Sequence, residues 1–321
     1  MDAESRNVVN IMVGILDGNV TKPRLFNVAF PTNANNFSIR RIFIETCSKL
    51  WPGKTFYPKL KLIVSDQAAY MLTSGQKLKA NDVTFPNLRH VTCVIHAISL
   101  VCDSIRKSFA LVNKFFSLEK KFFKNSGKRR RLFKSETGMK LPPSPILIRW
   151  GSWIHCANYH LTKRNFTKIK KFFLSVEEKH GIKVNDEFED FKKILKGTKL
   201  ENDLLKVAKY SSIPSIITQL EAQSLSLVDQ KHLIDHVFAA IKGTDHEKVL
   251  KDSLAKNPDY ALVTGDKMSL SDRVDFQYCP LVNSDLERSF SSYRSLLSDQ
   301  RRNLKTETLK HMLIVKRNPD L

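Results

Sequence analysis

The stretch Ile63-Val64-Ser65-Asp66-Gln67-Ala68-Ala69-Tyr70-Met71 decides the fold class. Leu60-Lys61-Leu62-Ile63-Val64 is a buried-type strand, and Asp66 stands at its carboxyl end where a helical pattern begins. A strand that feeds directly into a helix belongs to an α/β core. Ligands and catalytic groups in open α/β sheets gather at the carboxyl ends of strands, so a carboxylate here is placed to hold a metal ion. The same Asp also suits a helix N-cap, accepting from the first helical amides. The residues alone leave both readings open.

Toward the N-terminus, Val8, Val9, Ile11, Val13, Ile15 and Leu16 form an apolar run ended by Asp17-Gly18. Leu25 to Phe30 follows, closed by Pro31, and the Asp-Gly pair predicts a hairpin. Phe37 to Leu50 reads as a helix with Ile39, Ile42, Phe43 and Cys47 on one stripe and Trp51-Pro52-Gly53 as its stop. Toward the C-terminus, His90-Val91-Thr92-Cys93 is a second short strand leading into a helix through about Lys107. Val112, Phe115, Phe116, Phe122 and Phe123 recur at helical spacing, the pattern of an amphipathic core helix. From Trp150 to about residue 265 strand signals are few, and Leu204 to Ala208 and Ile213 to Leu220 suggest a run of helices. The expected architecture is an α/β core interrupted by a large all-helical insertion.

With 42% hydrophobic and 26% charged residues the 321-residue chain is globular rather than disordered. Its net charge of +21 favours a polyanionic partner, because each phosphate neutralised by Lys or Arg releases a counterion. No signal peptide, lipidation motif or long apolar run points to a membrane, so nucleic acid is the expected partner. Five widely spaced cysteines (Cys47, Cys93, Cys102, Cys156 and Cys279) suggest a reducing intracellular compartment without disulfides. Cys93-x-x-His96 is half of a zinc site, with only the distant His232 and His236 to complete it; a zinc finger is not expected.

Several residues have both a structural and a functional reading. Ser284-x-x-Glu287 fits a capping box, and Leu286, Phe290, Tyr293 and Leu297 fit the buried stripe of the helix behind it. Cys93 and His96 lie at a strand-to-helix junction, where a His packs or contacts phosphate. Arg149-Trp150, after the Pro-rich loop Leu141 to Pro145, can grip a phosphate and stack a base, or can belong to the core. Lys120, Lys121, Lys124, Lys128, Arg129, Arg130, Arg131 and Lys134 form a basic cluster offset locally only by Glu119 and Glu136. It suits a nucleic-acid patch or a nuclear-import signal.

Asn283-Ser284-Asp285-Leu286-Glu287-Arg288-Ser289-Phe290-Ser291 resembles the C-terminal signature of hAT-family transposases. Asn10-x-x-Val13-Gly14-x-Leu16, Ser65-Asp66-x-Ala68-x-Tyr70-Met71, Cys93-x-x-His96 and Arg149-Trp150-Gly151-Ser152-Trp153 resemble further landmarks of that family, in the same order. The resemblance implies a ribonuclease-H-like fold whose three acids hold two divalent metals for phosphodiester cleavage. By it, Asp66 matches the second acid and Glu287 the third, both as metal ligands. Cys93 and His96 match a DNA-contacting motif, and Trp150 a tryptophan near the bound DNA end. The first acid would lie on a strand preceding Met1; Asp2 matches a later position, and Asp17 closes the second strand. The resemblance therefore implies an incomplete ribonuclease-H-like core: residues 1–160 its N-terminal part, 161–275 the helical insertion, and 276–321 the last core helix with a dimerisation region. Phe290, Tyr293, Leu309, Met312 and Leu313 are the implied dimer contacts. The expectation is a truncated or domesticated, catalytically inactive, nuclear hAT-like protein that pairs with itself or a relative and binds DNA. No bound cofactor is expected. The alternative is an active enzyme using Mg2+ or Mn2+ with Asp2 or Asp17 as first acid.

Overall fold

A computed structural model of the chain describes residues 6–53, 57–80, 84–146, 151–161, 163–182, 186–222, 224–265, 268–297 and 304–320. The chain opens with β1 (Val9–Val13), β2 (Arg24–Ala29), α1 (Asn36–Leu50), β3 (Leu62–Ser65), α2 (Ala69–Lys79) and β4 (Arg89–Thr92). Then come α3 (Val94–Ser108), α4 (Ala110–Phe123), α5 (Gly127–Thr137), α6 (Ser152–Leu161), α7 (Lys163–His180), α8 (Asp186–Lys196), α9 (Lys199–Val207) and α10 (Ile213–Leu220). The closing helices are α11 (Leu227–Ile241), α12 (Asp245–Ala255), α13 (Tyr260–Thr264), α14 (Leu270–Asp275), α15 (Ser284–Leu296) and α16 (Thr306–Arg317). The protein is thus α/β with helix strongly dominant.

It divides into two compact units. The first comprises Met1–His96, Leu220–His232 and Ser253–Leu321, and the second Ala97–Gln219 and Leu233–Asp252. The helical unit therefore begins at about residue 97 rather than the expected 161, and residues 253–275 fall with the N-terminal segments. Side-chain packing explains the early boundary. Phe115 and Phe122 of α4 stack on Phe191 and Phe188 of α8, and Phe173 of α7 meets Phe122 and Phe191 edge-on and Phe123 at a tilt. The amphipathic stripe of α4 has its partners in this aromatic core.

In the first unit β1 and β2 are antiparallel, with a register irregularity between Ile11 and Met12. The expected tight Asp-Gly hairpin is instead a ten-residue connection, Gly14 to Pro23, because β1 ends at Val13. Leu25 and Val28 pack with Tyr293, Leu296, Leu309 and Leu313 into one apolar cluster. Asn318, just past α16, exchanges two side-chain hydrogen bonds with the Leu25 backbone. β3 and β4 pair in parallel, Leu62 opposite Arg89 through Ser65 opposite Thr92. The other edge of β4 is filled by single residues rather than a strand. Asn257 bonds both the N–H and C=O of Thr92, and Asp259 bonds both backbone groups of His90. Lys79 closes on the Asp259 carboxylate at 2.6 Å.

Candidate functional site

Asp66 immediately follows β3, and its Oδ1 accepts from the Ala68 N–H at 3.1 Å. That bond forms a turn leading into α2; the N-cap position itself is Ala68, which has no side-chain cap. Asp66 is half-buried.

The segment before α15 docks on the end of β4. The Val94 N–H donates to the Leu281 carbonyl at 2.9 Å, and the Asn283 N–H to Cys93 Sγ at 3.5 Å. This early docking starts the helix at Ser284, so Ser284 is the first helical residue and not the cap. Its hydroxyl reaches the Glu221 carbonyl, and no capping box forms with Glu287. Asn10 of β1, buried, donates to Ser289 Oγ at 2.7 Å and fixes the rotation of α15.

Glu287 is consequently released from helix capping. Glu287 is exposed, yet its carboxyl pKa is raised above the ordinary value, first by desolvation and next by the Asp66 charge. Arg294 opposes the rise and Glu221 adds to it. Asp66 and Glu287, far apart in sequence, thus share one electrostatic neighbourhood. His96 belongs to it as well: burial pulls its imidazole pKa down while Asp66 pushes it up, with a net lowering. Arg288 turns away, bonding Asp285 and the Glu221 carbonyl.

Cys93 has a different role from the one expected. It is 0% exposed, its thiol pKa is pushed up to about 11 by burial, and its sulfur receives the Asn283 amide. This buried thiol positions the β4–α15 junction. Asp17 lies exposed in the β1–β2 connection with Oδ1 on the Asn19 amide, next to Gly18, which abuts Val274 of α14. Asp2, Arg149 and Trp150 lie outside the described residues. Among the described residues no group of three or more His, Cys, Asp or Glu side chains is placed to hold a metal ion.

The expected dimer contacts are mostly interior. Tyr293, Leu309 and Leu313 are buried in the chain's own core, with Met312 packed against it and Phe290 half-buried. The stripe that suggested a partner is satisfied by β1 and β2.

In the second unit the basic cluster divides into two roles. Arg129 and Arg130 donate to the Phe122 and Phe123 carbonyls, satisfying the C-terminal end of α4, and the Arg129 guanidinium lies over the Phe122 ring. Lys120, Lys124, Lys128, Arg131 and Lys134 are exposed. The unit contains 29 Lys and Arg against 15 Asp and Glu, so +14 of the chain's +21 resides there.

Sequence reasoning missed one polar pair altogether. Glu119 and His160 meet at 3.1 Å inside the aromatic core, at 3% and 1% exposure. Glu119 was visible only as a weak offset to neighbouring lysines, and nothing local links it to a His on α6.

No family model matches the chain, and no curated protein matches its sequence. Among the described residues no helix is long and apolar enough to cross a membrane.

Proposed function

We propose that this chain is a nucleic-acid-binding protein of hAT transposase type, with a ribonuclease-H-like core, in which Asp66 and Glu287 by themselves do not cut DNA. The observation that carries the reading is the docking of the segment before α15 on the end of β4, which brings the helix of Glu287 to the strand pair that Asp66 follows, so that the Asp66 charge acts on Glu287. By the resemblance these two acids are the second and third ligands of a two-metal centre, and Glu287 takes no part in a capping box. Two carboxylates do not fit such a centre. A pair of divalent ions bridging the attacking and leaving oxygens needs more anionic ligands than Asp66 and Glu287 supply.

Binding is assigned to the second unit, whose excess of 14 positive charges supplies counterion release. The same basic stretch, Lys128 to Arg131, serves as a nuclear-import signal, placing the protein in the nucleus. Self-association, where it occurs, uses half-buried Phe290 and Met312 with exposed Val315, since Tyr293, Leu309 and Leu313 are enclosed. Fluorescence anisotropy with labelled DNA over a salt series tests the reading. Affinity should fall steeply and log-linearly with salt, and Lys128→Glu with Arg131→Glu should weaken it about tenfold or more at low salt. Absence of binding at low salt would contradict the proposal and leave only a protein-pairing role.

A further inference from the structure

Beside the basic edge of the second unit lies a half-open pocket of about 210 Å³. Its composition is unusual for a patch that only tracks phosphates. The exposed cations Lys120, Lys124 and Arg130 stand at its mouth, and no ion pair among the described residues occupies the two lysines. Its inner wall is apolar, from Phe123, Leu141 and Pro142. Glu119 also lines it, a buried residue whose carboxylate is held by His160 Nε2.

A ligand must satisfy all three parts. A bare phosphate suits the mouth but meets an anion and apolar carbon inside. An apolar peptide side chain suits the wall and leaves a carboxylate without a donor. An ionised carboxylate accepts at about four lone-pair sites, and one imidazole N–H leaves others open to a ligand donor. A nucleotide whose base has an exocyclic amino group meets each demand: planar ring on the apolar wall, N–H on the acceptor, phosphates on the cations. The volume corresponds to about seven water molecules, room for one base and not a base pair.

We infer that this pocket takes one unpaired amino-bearing base of single-stranded nucleic acid, read by Glu119 and anchored through its flanking phosphates by Lys120 and Lys124, beside Arg130, whose Nε holds the Phe123 carbonyl. His160 is a positioning residue. Its Nδ1 faces the Cys156 carbonyl at 2.8 Å while Nε2 faces Glu119, which fixes the carboxylate's orientation. The inference rests on the nucleic-acid reading above and sharpens it from charge attraction to base selection.

The test compares anisotropy of labelled oligo-dC and oligo-dT with the full chain, because cytosine offers an amino donor where thymine offers a carbonyl. Oligo-dC should bind about tenfold more tightly. Glu119→Gln should erase that preference. Since this change also disturbs the buried pair, a second variant, Leu141→Trp on the loop, fills the pocket without touching it. Leu141→Trp should bring oligo-dC down to the oligo-dT level while salt-dependent binding persists. Equal wild-type affinity for the two oligomers overturns the pocket and leaves the nucleic-acid reading standing, whereas no binding to either overturns that reading itself. Free dCMP should compete only weakly; competition matching that of oligo-dC would overturn the strand as the ligand's source.

Discussion

Two buried histidines, one in each unit, show how differently the two halves treat charge. In the first unit His90 on β4 is 1% exposed, with Nε2 2.8 Å from Ser65 Oγ. The Ser65 hydroxyl donates onward to the Asp66 carbonyl, so it must accept from the ring. Nδ1 faces the backbone of Gly75 on α2, where a Cβ would stand only 2.0 Å away, and it has no acceptor. The ring is therefore neutral, and burial, its largest influence, lowers its pKa; Asp259 and Asp66 oppose and Lys79 assists. In the second unit His160 is equally enclosed, but both ring nitrogens face acceptors, Glu119 and the Cys156 carbonyl. Burial alone would lower its pKa as well. The Glu119 charge and hydrogen bond and the Cys156 carbonyl outweigh it, so the net shift is upward. Equal burial gives opposite pKa shifts because geometry, not depth, decides which proton has a partner.

The contrast can be broken most forcefully at Glu119. Glu119→Ala leaves the buried His160 Nε2 without its partner beside a new cavity and should cost about 4 kcal/mol in chemical denaturation. Replacing both partners with apolar residues, Glu119→Leu with His160→Phe, should recover most of that loss. A double variant no better than the single would mean that the pair is not the coupled unit described. In the first unit the sharpest probe is Gly75→Ala, which drives a methyl into the His90 ring and should cost about 3 kcal/mol. A neutral Gly75→Ala would show that α2 does not pack on β4 in this way.

A smaller effect separates the halves by pH. His90 has a lowered folded pKa, so its contribution is complete above the unfolded value of 6.5 and is lost as pH falls below it. His160 has a raised folded pKa, so its contribution is complete below 6.5 and is lost as pH rises through the folded value. Peptide-resolved hydrogen exchange on the whole chain should therefore show β3 and β4 loosening on the acid side and α4 and α6 on the alkaline side. A common direction for both would refute the opposite pKa shifts. The smallest expected change is at the acid pair. Asp66→Asn removes repulsion from Glu287 and should raise Tm by about 1 °C at neutral pH. A drop in Tm would mean that Asp66 is chiefly a turn residue.

Local signals made much of this legible. β3, β4 and α1 emerge from β-branched runs, a period of 3.6 and the Trp51-Pro52-Gly53 stop, all confined to short windows. Asp66 was readable because its place at a strand end is itself local. What escaped depended on distant partners. The Phe115 stripe announces a core helix but not that α7 and α8 complete it, so the unit boundary came out too late. Ser284 has the capping-box spacing, yet the Leu281 and Asn283 backbone bonds to the end of β4 pull the helix start forward by one residue. Tyr293, Leu309 and Leu313 carry an apolar pattern that cannot say whether the covering surface is another copy or the chain's own hairpin. Arg129 and Arg130 look like free cations until the carbonyls at the end of α4 are found beneath them.

The central proposal is that Asp66 and Glu287, whose charges act on each other, do not by themselves suffice for phosphodiester cleavage. Its most direct test is nicking of supercoiled plasmid by the purified 321-residue chain with Mg2+ or Mn2+. The account predicts no cleavage above the metal-only control, and an Asp66→Asn variant indistinguishable from the parent. Metal-dependent nicking that disappears in Asp66→Asn would contradict it.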